Sequence, residues 1–173
     1  MRKINFARGF WTVVVAVLLT TTLVSCDSFK RKGVNKNWSM EVSHPFPNTN
    51  WAFEEEVLDF DFEIKDTTKY YDVTVSLLYD TSIVALRVIP LTLTLTSPDG
   101  MQSIASSQFL LDSKNNKDIR PEGNSNNAVL DVVVYPHRKF KNLGTHKLSV
   151  YRRAEKADNY GFISLSTKVS VAQ

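Results

Sequence analysis

The clearest pattern in the chain is VLDFDFEI at Val57–Ile64, in which apolar and acidic residues alternate. Leu58, Phe60, Phe62 and Ile64 project from one side of an extended segment, and the acidic residues between them project from the other. A period of two residues is typical of a strand that has one face in a hydrophobic core and the other in water. Residues 57–64 are therefore predicted to form a half-buried β-strand.

The same alternation recurs further along the chain. Asp66–Lys69 supplies turn residues, so the alternating segment Tyr71–Leu77 is predicted to form a hairpin with the first strand. Ser97–Gly100 is a second strong turn. Further strands are predicted at Leu91–Thr96, Ser107–Leu111, Val129–Tyr135, Thr145–Tyr151 and Ile163–Val171. Because no long segment has helical periodicity, residues 38–173 are predicted to fold as one all-β domain, a single antiparallel β-sandwich that is jelly-roll-like.

A polar segment interrupts the strands between residues 112 and 127. Asparagine, glycine and proline are frequent in it and apolar residues are nearly absent, which predicts a long surface loop. Loops longer than about 12–15 residues are uncommon unless they are functional or mobile. The segment is therefore either a contact surface or simply disordered.

The N-terminal segment has the pattern of a secretory signal peptide. The basic Met1–Arg8 precedes the apolar run Phe10–Leu19, and three threonines interrupt that run before it reaches the length of a membrane span. Leu23–Cys26 (LVSC) contains the only cysteine and resembles the lipobox of bacterial lipoproteins, in which the cysteine is acylated and becomes the mature N-terminus. We therefore predict that residues 1–25 are cleaved and that Cys26 is lipidated. The alternative is a small apolar residue at the end of an ordinary signal or anchor helix.

Residues 26–37 are polar and basic, and they are predicted to form a lipidated flexible tether. Its basic cluster Lys30–Lys32 either contacts lipid headgroups or is simply solvated. The whole chain has 21 basic and 18 acidic residues, but three of the basic ones lie in residues 1–25, which contain no acidic residue. The mature protein is therefore neutral. It lacks the basic surplus from which nucleic-acid binding is inferred.

Residue types suited to catalysis or metal binding do not form a recognisable motif. His44, His137 and His146 are too widely spaced for a zinc motif, and each is interpreted as a surface or structural residue. The acidic residues of Val57–Ile64 alternate toward solvent. Glu54–Glu56 is interpreted as a solvated strand end, with attraction of a cation or a basic partner as the alternative. No nucleophile elbow and no glycine-rich loop before a helix is present, so the protein is predicted not to be an enzyme and to need no cofactor or metal.

Four aromatic residues cluster early in the predicted domain: Trp38, Phe46, Trp51 and Phe53. Such rings either pack in the core and fasten the start of the chain to the sandwich, or stack on sugars at an exposed face. The periodicity does not place them, so both interpretations remain open.

Several short motifs together resemble the GldH-type gliding-motility lipoproteins. They follow the lipobox at Cys26 and comprise Phe46–Trp51, Phe60–Asp66, Tyr71–Val73, Pro90–Leu91, Ser97–Gly100 and Phe140–Val150. This resemblance covers most of the mature chain. It implies a non-enzymatic cell-envelope lipoprotein of the outer membrane whose partners belong to the gliding machinery or the linked secretion machinery. The alternative is a glycan-binding module of a surface lipoprotein.

The residues after the lipobox also predict an orientation. Lipoproteins that such bacteria export to the cell surface often carry an acidic cluster soon after the cysteine. Here Asp27 is followed by the basic Lys30–Lys32. We therefore expect retention on the periplasmic face of the outer membrane.

Overall fold

The structure is a computed structural model, and it describes residues 35–52, 57–111, 116–123, 126–153 and 159–173. The predicted signal peptide and Cys26 lie outside the described residues, as does most of the predicted tether. Among the described residues, no helix is long and apolar enough to cross a membrane.

The described residues form eleven β-strands and one short 3₁₀ turn at Pro47–Thr49. The strands are β1 Ser39–Pro45, β2 Asn50–Trp51, β3 Val57–Ile64, β4 Tyr71–Asp80, β5 Val88–Thr96, β6 Gln102–Leu110, β7 Ile119–Pro121, β8 Asn127–Arg138, β9 Gly144–Arg152, β10 Asn159–Tyr160 and β11 Phe162–Val171. Each long strand predicted from the alternation is present. The start of β6 escapes the pattern because small residues occupy its inward positions and its one large apolar residue, Ile104, is exposed.

Two antiparallel sheets form the sandwich, which confirms the predicted fold class. One has five strands in the order β1-β11-β4-β8-β7, and the other has four strands in the order β3-β9-β5-β6. The pairs β1·β11, β3·β9, β4·β8 and β5·β6 nest inside one another along the chain. This is the strand order of a jelly roll, in which one long hairpin is rolled so that successive pairs lie in alternate sheets.

The core fills the space between the sheets, and the strand patterns explain its composition. In β3 the four alternating apolar residues from Leu58 to Ile64 are buried, whereas Val57 and the acidic residues are exposed. In β4 and β5, every second residue from Tyr71 to Tyr79 and from Ile89 to Leu95 is likewise buried. Each sheet therefore turns one face inward and leaves one face to water, as the period of two requires.

The predicted hairpin between residues 57–64 and 71–77 is wrong. β3 pairs with β9, whereas β4 lies in the other sheet between β11 and β8. The connection after Ile64 crosses from one sheet to the other instead of turning back beside β3. Alternation fixes which face of a strand is buried, but it carries no information about the neighbouring strand.

The prediction of one long loop at residues 112–127 is also wrong in part. Within it, Ile119–Pro121 forms β7 and pairs with β8, placing Ile119 opposite Leu130. Ile119 packs against the core, and Arg120 forms an ion pair with Asp131 on β8. Residues 112–115 and 124–125 lie outside the described part of the chain.

Candidate docking surface

A polar face covers the outside of the five-stranded sheet. The side chains that project from it on β1, β4 and β11 are mostly short hydroxyl residues, namely Ser43, Thr74, Ser76, Ser164, Ser166 and Ser170. We call this surface the hydroxyl face. Because its side chains are short, a partner can approach the sheet closely. The exposed and half-buried hydroxyls can donate and accept hydrogen bonds, whereas Ser166 is buried.

The strand register sets the spacing of these groups. Ser43 lies opposite Ser166, Ser166 opposite Ser76, and Ser76 opposite Asp131 on β8. Neighbouring strands are about 4.8 Å apart, so this row of four side chains spans roughly 14 Å. The row crosses four adjacent strands of one sheet and is therefore held rigidly.

The charged side chains of this face nearly cancel: Glu41, Glu122 and Asp131 are acidic, and Arg120 and Lys168 are basic. Ser166 Oγ donates a hydrogen bond to Glu41 Oε1 at 2.9 Å, and Lys168 lies directly opposite Glu41 in the register. Arg120 on β7 forms an ion pair with Asp131 on β8. A face without a basic surplus favours partners that offer hydrogen bonds over partners that offer many phosphates.

The hydroxyl face is concave and continues into neighbouring depressions. Its groove has a volume of about 370 Å³. A second groove of about 580 Å³ lies between the edges of β6 and β8, and Arg120 and Asp131 line both grooves. A third, of about 490 Å³, begins beside Lys168 and reaches Lys36 at the start of the described chain. The second groove is partly apolar, since Leu110, Val132 and Val133 also line it.

The aromatic residues that cluster early in the domain pack in the core or against it, as far as the structure describes them. Phe46 and Trp51 are buried and stacked, with ring centroids 5.0 Å apart, and Phe162 meets Trp51 edge-on at 6.1 Å. Trp38 is partly buried, and its ring contacts Tyr71 at 5.8 Å. Phe53 lies outside the described residues. The described rings therefore fasten the start of the domain to the sandwich and form no exposed row.

The three histidines lie in different surroundings. His44 contacts the ring of Phe46 at 5.5 Å, and the exposed His137 has its Nδ1 3.6 Å from Asp72. His146 is buried, its Nδ1 lies 3.1 Å from Gly144 O, and burial lowers its pKa. Among the described residues, no group of three or more potential ligands is placed to hold a metal ion.

The acidic residues of β3 lie on the outer face of the four-stranded sheet. Asp59 accepts hydrogen bonds from Ser149 at 2.6 Å and from Lys147 at 3.1 Å, both on β9. The bond from Ser149 is the main cause that lowers the pKa of Asp59. Cross-strand pairing accounts for these interactions, and they build no reactive site. Glu54–Glu56 lies outside the described residues.

The hydroxyl face was missed at the sequence level, although a signal for it exists. In β11, every second residue from Ser164 to Ser170 is a serine or a lysine. In β4, Thr74 and Ser76 are likewise polar residues two positions apart. Each run predicts a solvated strand face. That the two runs are adjacent follows only from the pairing of β4 with β11.

Comparison with known proteins identifies no family. No protein-family model matches the chain, and no curated protein matches it. Solved structures with some similarity include the dimeric latent PorU of Porphyromonas gingivalis, at 13% identity over 81% of this chain and 13% of that one, with a TM-score of 0.35. The infectious bursal disease virus Gx strain structure has 13% identity over 80% of this chain and 32% of that one, with a TM-score of 0.32. The chain thus spans less than a third of each, and neither likeness identifies its function.

Proposed function

We propose that this protein is a cell-envelope lipoprotein that acts by docking, through its hydroxyl face, onto other envelope components. The observation that carries the docking role is the concave row of three hydroxyls and one carboxylate across four paired strands. Cys26 in its lipobox context supports the lipid anchor. The resemblance to GldH-type lipoproteins supports partners in the gliding machinery or the linked secretion machinery.

The composition of the hydroxyl face favours a protein partner over a glycan. Sugar-binding faces present aromatic rings on which pyranose rings stack, whereas Phe46 and Trp51 are buried in the core. The exposed tyrosines Tyr70, Tyr151 and Tyr160 belong to different strands or turns. Hydrogen-bonding groups at fixed spacing suit the polar parts of a protein interface. We therefore keep glycan binding as the second candidate, supported by the hydroxyls alone.

Anchoring is tested at Cys26. Cys26→Ala should abolish acylation and shift the protein from the membrane fraction to the soluble fraction, because two or more acyl chains make membrane release very slow. Cys26→Ser is the matched control that preserves size, and it should behave in the same way. A wild-type protein that carries no lipid and is not cleaved after residue 25 would contradict the anchor.

Docking is tested with a photo-crosslinking residue placed at Ser76, at the centre of the hydroxyl face. The control carries the same residue at Thr94, which also lies half-buried on a central strand but on the outer face of the other sheet. We expect discrete high-mass adducts in intact cells from position 76 and none from position 94. Equal adducts from both positions, or none from position 76, would exclude docking through this face.

Orientation is tested by adding protease to intact cells. We propose the periplasmic face of the outer membrane, so the domain should survive until the outer membrane is permeabilised. Digestion in intact cells, while a periplasmic control protein survives, would place the domain on the cell surface. That result would also favour the glycan-binding alternative.

A further inference from the structure

A sandwich of two open sheets leaves strand edges that can pair with another chain, and native proteins usually protect such edges. In β1 the free edge carries Glu41 and ends at Pro45, which has no N–H to offer. At one edge of the four-stranded sheet, the exposed face of β3 carries three acidic residues. On the β8 side, β7 pairs with one end of the strand, and register shifts break the regularity near its other end.

Within the part of the chain that the structure describes, the edge strand β6 has none of these protections. Its sequence, QSIASSQFL at Gln102–Leu110, contains no charged residue and no proline. It pairs with β5 through nine residues without a register shift. Ile104 is the most exposed of the large apolar side chains, at 71%, and Leu110 is 43% exposed. A long, regular, uncharged edge with exposed apolar residues is a template for pairing with another strand.

The backbone hydrogen bonds show which groups of β6 are free to pair. Leu111 N–H donates to Arg87 O at 2.8 Å, and Ser97 N–H donates to Met101 O at 2.9 Å, just beyond the two ends of the β5·β6 pairing. Both bonds join odd-numbered residues and continue the register of the β5·β6 pairing. Because bonded and non-bonded pairs alternate in an antiparallel ladder, the even-numbered residues of β6 direct their N–H and C=O groups away from β5.

We propose that β6 pairs antiparallel with β6 of a second copy of this chain, about a two-fold axis at Ser106. The two four-stranded sheets would then form one continuous eight-stranded sheet. This register brings the outward-directed even-numbered residues of both copies opposite one another. Leu110 O already accepts a hydrogen bond from Asn116 Nδ2 at 2.8 Å, but a carbonyl oxygen has a second lone pair for the new bond.

The charge pattern identifies a second copy as the occupant. A two-fold interface places each patch against itself, so any charge near the axis would meet its own copy. β6 avoids this repulsion because it carries no charge along its whole length. Ser106 would face the partner's Ser106, and Ile104 would lie diagonally across from the partner's Leu110, within reach for apolar contact. The inference is independent of lipid attachment and goes beyond the docking role of the hydroxyl face.

Disulfide trapping tests the pairing in the full-length protein in its membrane. Directly opposed residues in a bonded pair have Cα atoms about 5.5 Å apart, which lies within the range of a disulfide. Ser106→Cys should therefore give a covalent homodimer under mild oxidation. Ser39→Cys is the matched control, since Ser39 is an exposed serine on the protected edge strand β1. It should give no more dimer than the wild type, whose only cysteine is Cys26.

A charge-swap experiment gives an independent readout at the same exposed position, where a change should not affect folding. Ser106→Lys and Ser106→Glu should each lower the dimer fraction of detergent-solubilised protein, measured by light scattering, because like charges would meet at the axis. Mixing the two variants should restore dimers. If Ser106→Cys cross-links no more than Ser39→Cys, or if neither charge changes the dimer fraction, the proposal is wrong. Cross-links from Ser106→Cys to a different protein would equally overturn the second copy as occupant.

Discussion

The imidazole ring of His146 lies nearly parallel to the phenyl ring of Phe62, with 5.8 Å between centroids and 16° between planes. Phe140 meets His146 edge-on at 4.7 Å, so the imidazole is enclosed by apolar rings. His146 Nε2 has no hydrogen-bond partner among the described residues. This environment penalises the charged form of the ring and explains the lowered pKa of His146.

The enclosed imidazole predicts a pH-dependent stability. Because the pKa of His146 is lower in the folded state, the unfolded state binds more protons once the pH falls below about 6.5. The free energy of unfolding should therefore decrease below that pH, by at most about 1.4 kcal/mol per pH unit for this one proton. Chemical denaturation at a series of pH values measures the slope. His146→Phe should flatten it, and an unchanged slope in that variant would refute the assignment.

The hydrogen bond from Ser149 to Asp59 predicts a measurable change in a carboxyl titration. Ser149→Ala removes the 2.6 Å bond that is the main cause of the lowered pKa of Asp59, so that pKa should rise. Lys147→Met should raise it less, because the exposed ammonium is screened by water. Carboxyl chemical shifts from nuclear magnetic resonance report both values. A larger rise in Lys147→Met would mean that the ion pair dominates. A carboxyl group whose pKa is lowered by folding stabilises the fold at pH values above its pKa in the unfolded state, and this stabilisation is lost as the pH falls. Ser149→Ala should therefore also reduce the loss of stability in acid.

Gly161 is predicted to tolerate no side chain. Its φ is +90°, and a Cβ atom there would lie 2.8 Å from Val84 Cγ2 and 3.0 Å from Ile83 Cβ. Gly161→Ala should lower the free energy of unfolding through both backbone strain and crowding. Gly100 is the matched control, since its φ of +82° carries the strain but nothing lies within 4 Å of a Cβ atom. Gly161→Ala should cost about 1–3 kcal/mol more than Gly100→Ala by urea denaturation, and equal costs would show that Val84 and Ile83 move away freely.

Tyr135 joins the two sheets through its hydroxyl group. It lies on β8 and donates a hydrogen bond at 2.8 Å to the carbonyl oxygen of Ser103 on β6. Tyr135→Phe should lower the free energy of unfolding by about 1 kcal/mol, since the bond is lost and the ring is kept. The exposed Tyr160 provides the control, and Tyr160→Phe should leave stability unchanged in the same denaturant series. An equal loss in both variants would show that the Ser103 bond contributes nothing specific.

The jelly-roll class and most strands are predictable from the chain because alternation is a local property. The pattern of β3 appears in the sequence and returns as a strand with the same bounds. Strand pairing is not local, which is why the hairpin between the segments that became β3 and β4 was predicted wrongly. The short β7 was missed for a related reason. Its three residues carry too little pattern, and only contact with β8 stabilises them.

Of the two candidate sites, one can be predicted from the sequence and the other cannot. The lipobox at Cys26 is a contiguous motif and can be recognised from the sequence alone. The hydroxyl face is assembled from strands that lie far apart in the chain, such as β1 and β11, and it exists only after they pair. Each serine is an unremarkable surface residue in its own segment.

The sequence by itself determined which side of each long strand faces the core, because apolar burial follows directly from a period of two residues. It also determined the neutral charge of the predicted mature chain. Only the tertiary structure decided that Ser43, Ser166 and Ser76 form one row and that His146 is enclosed between Phe62 and Phe140. The structure alone also placed β6 at the edge of the four-stranded sheet, with β5 as its one strand partner among the described residues. Pairing partners are chosen by the packing of the whole sandwich, in which long-range contacts outweigh the preferences of any single segment.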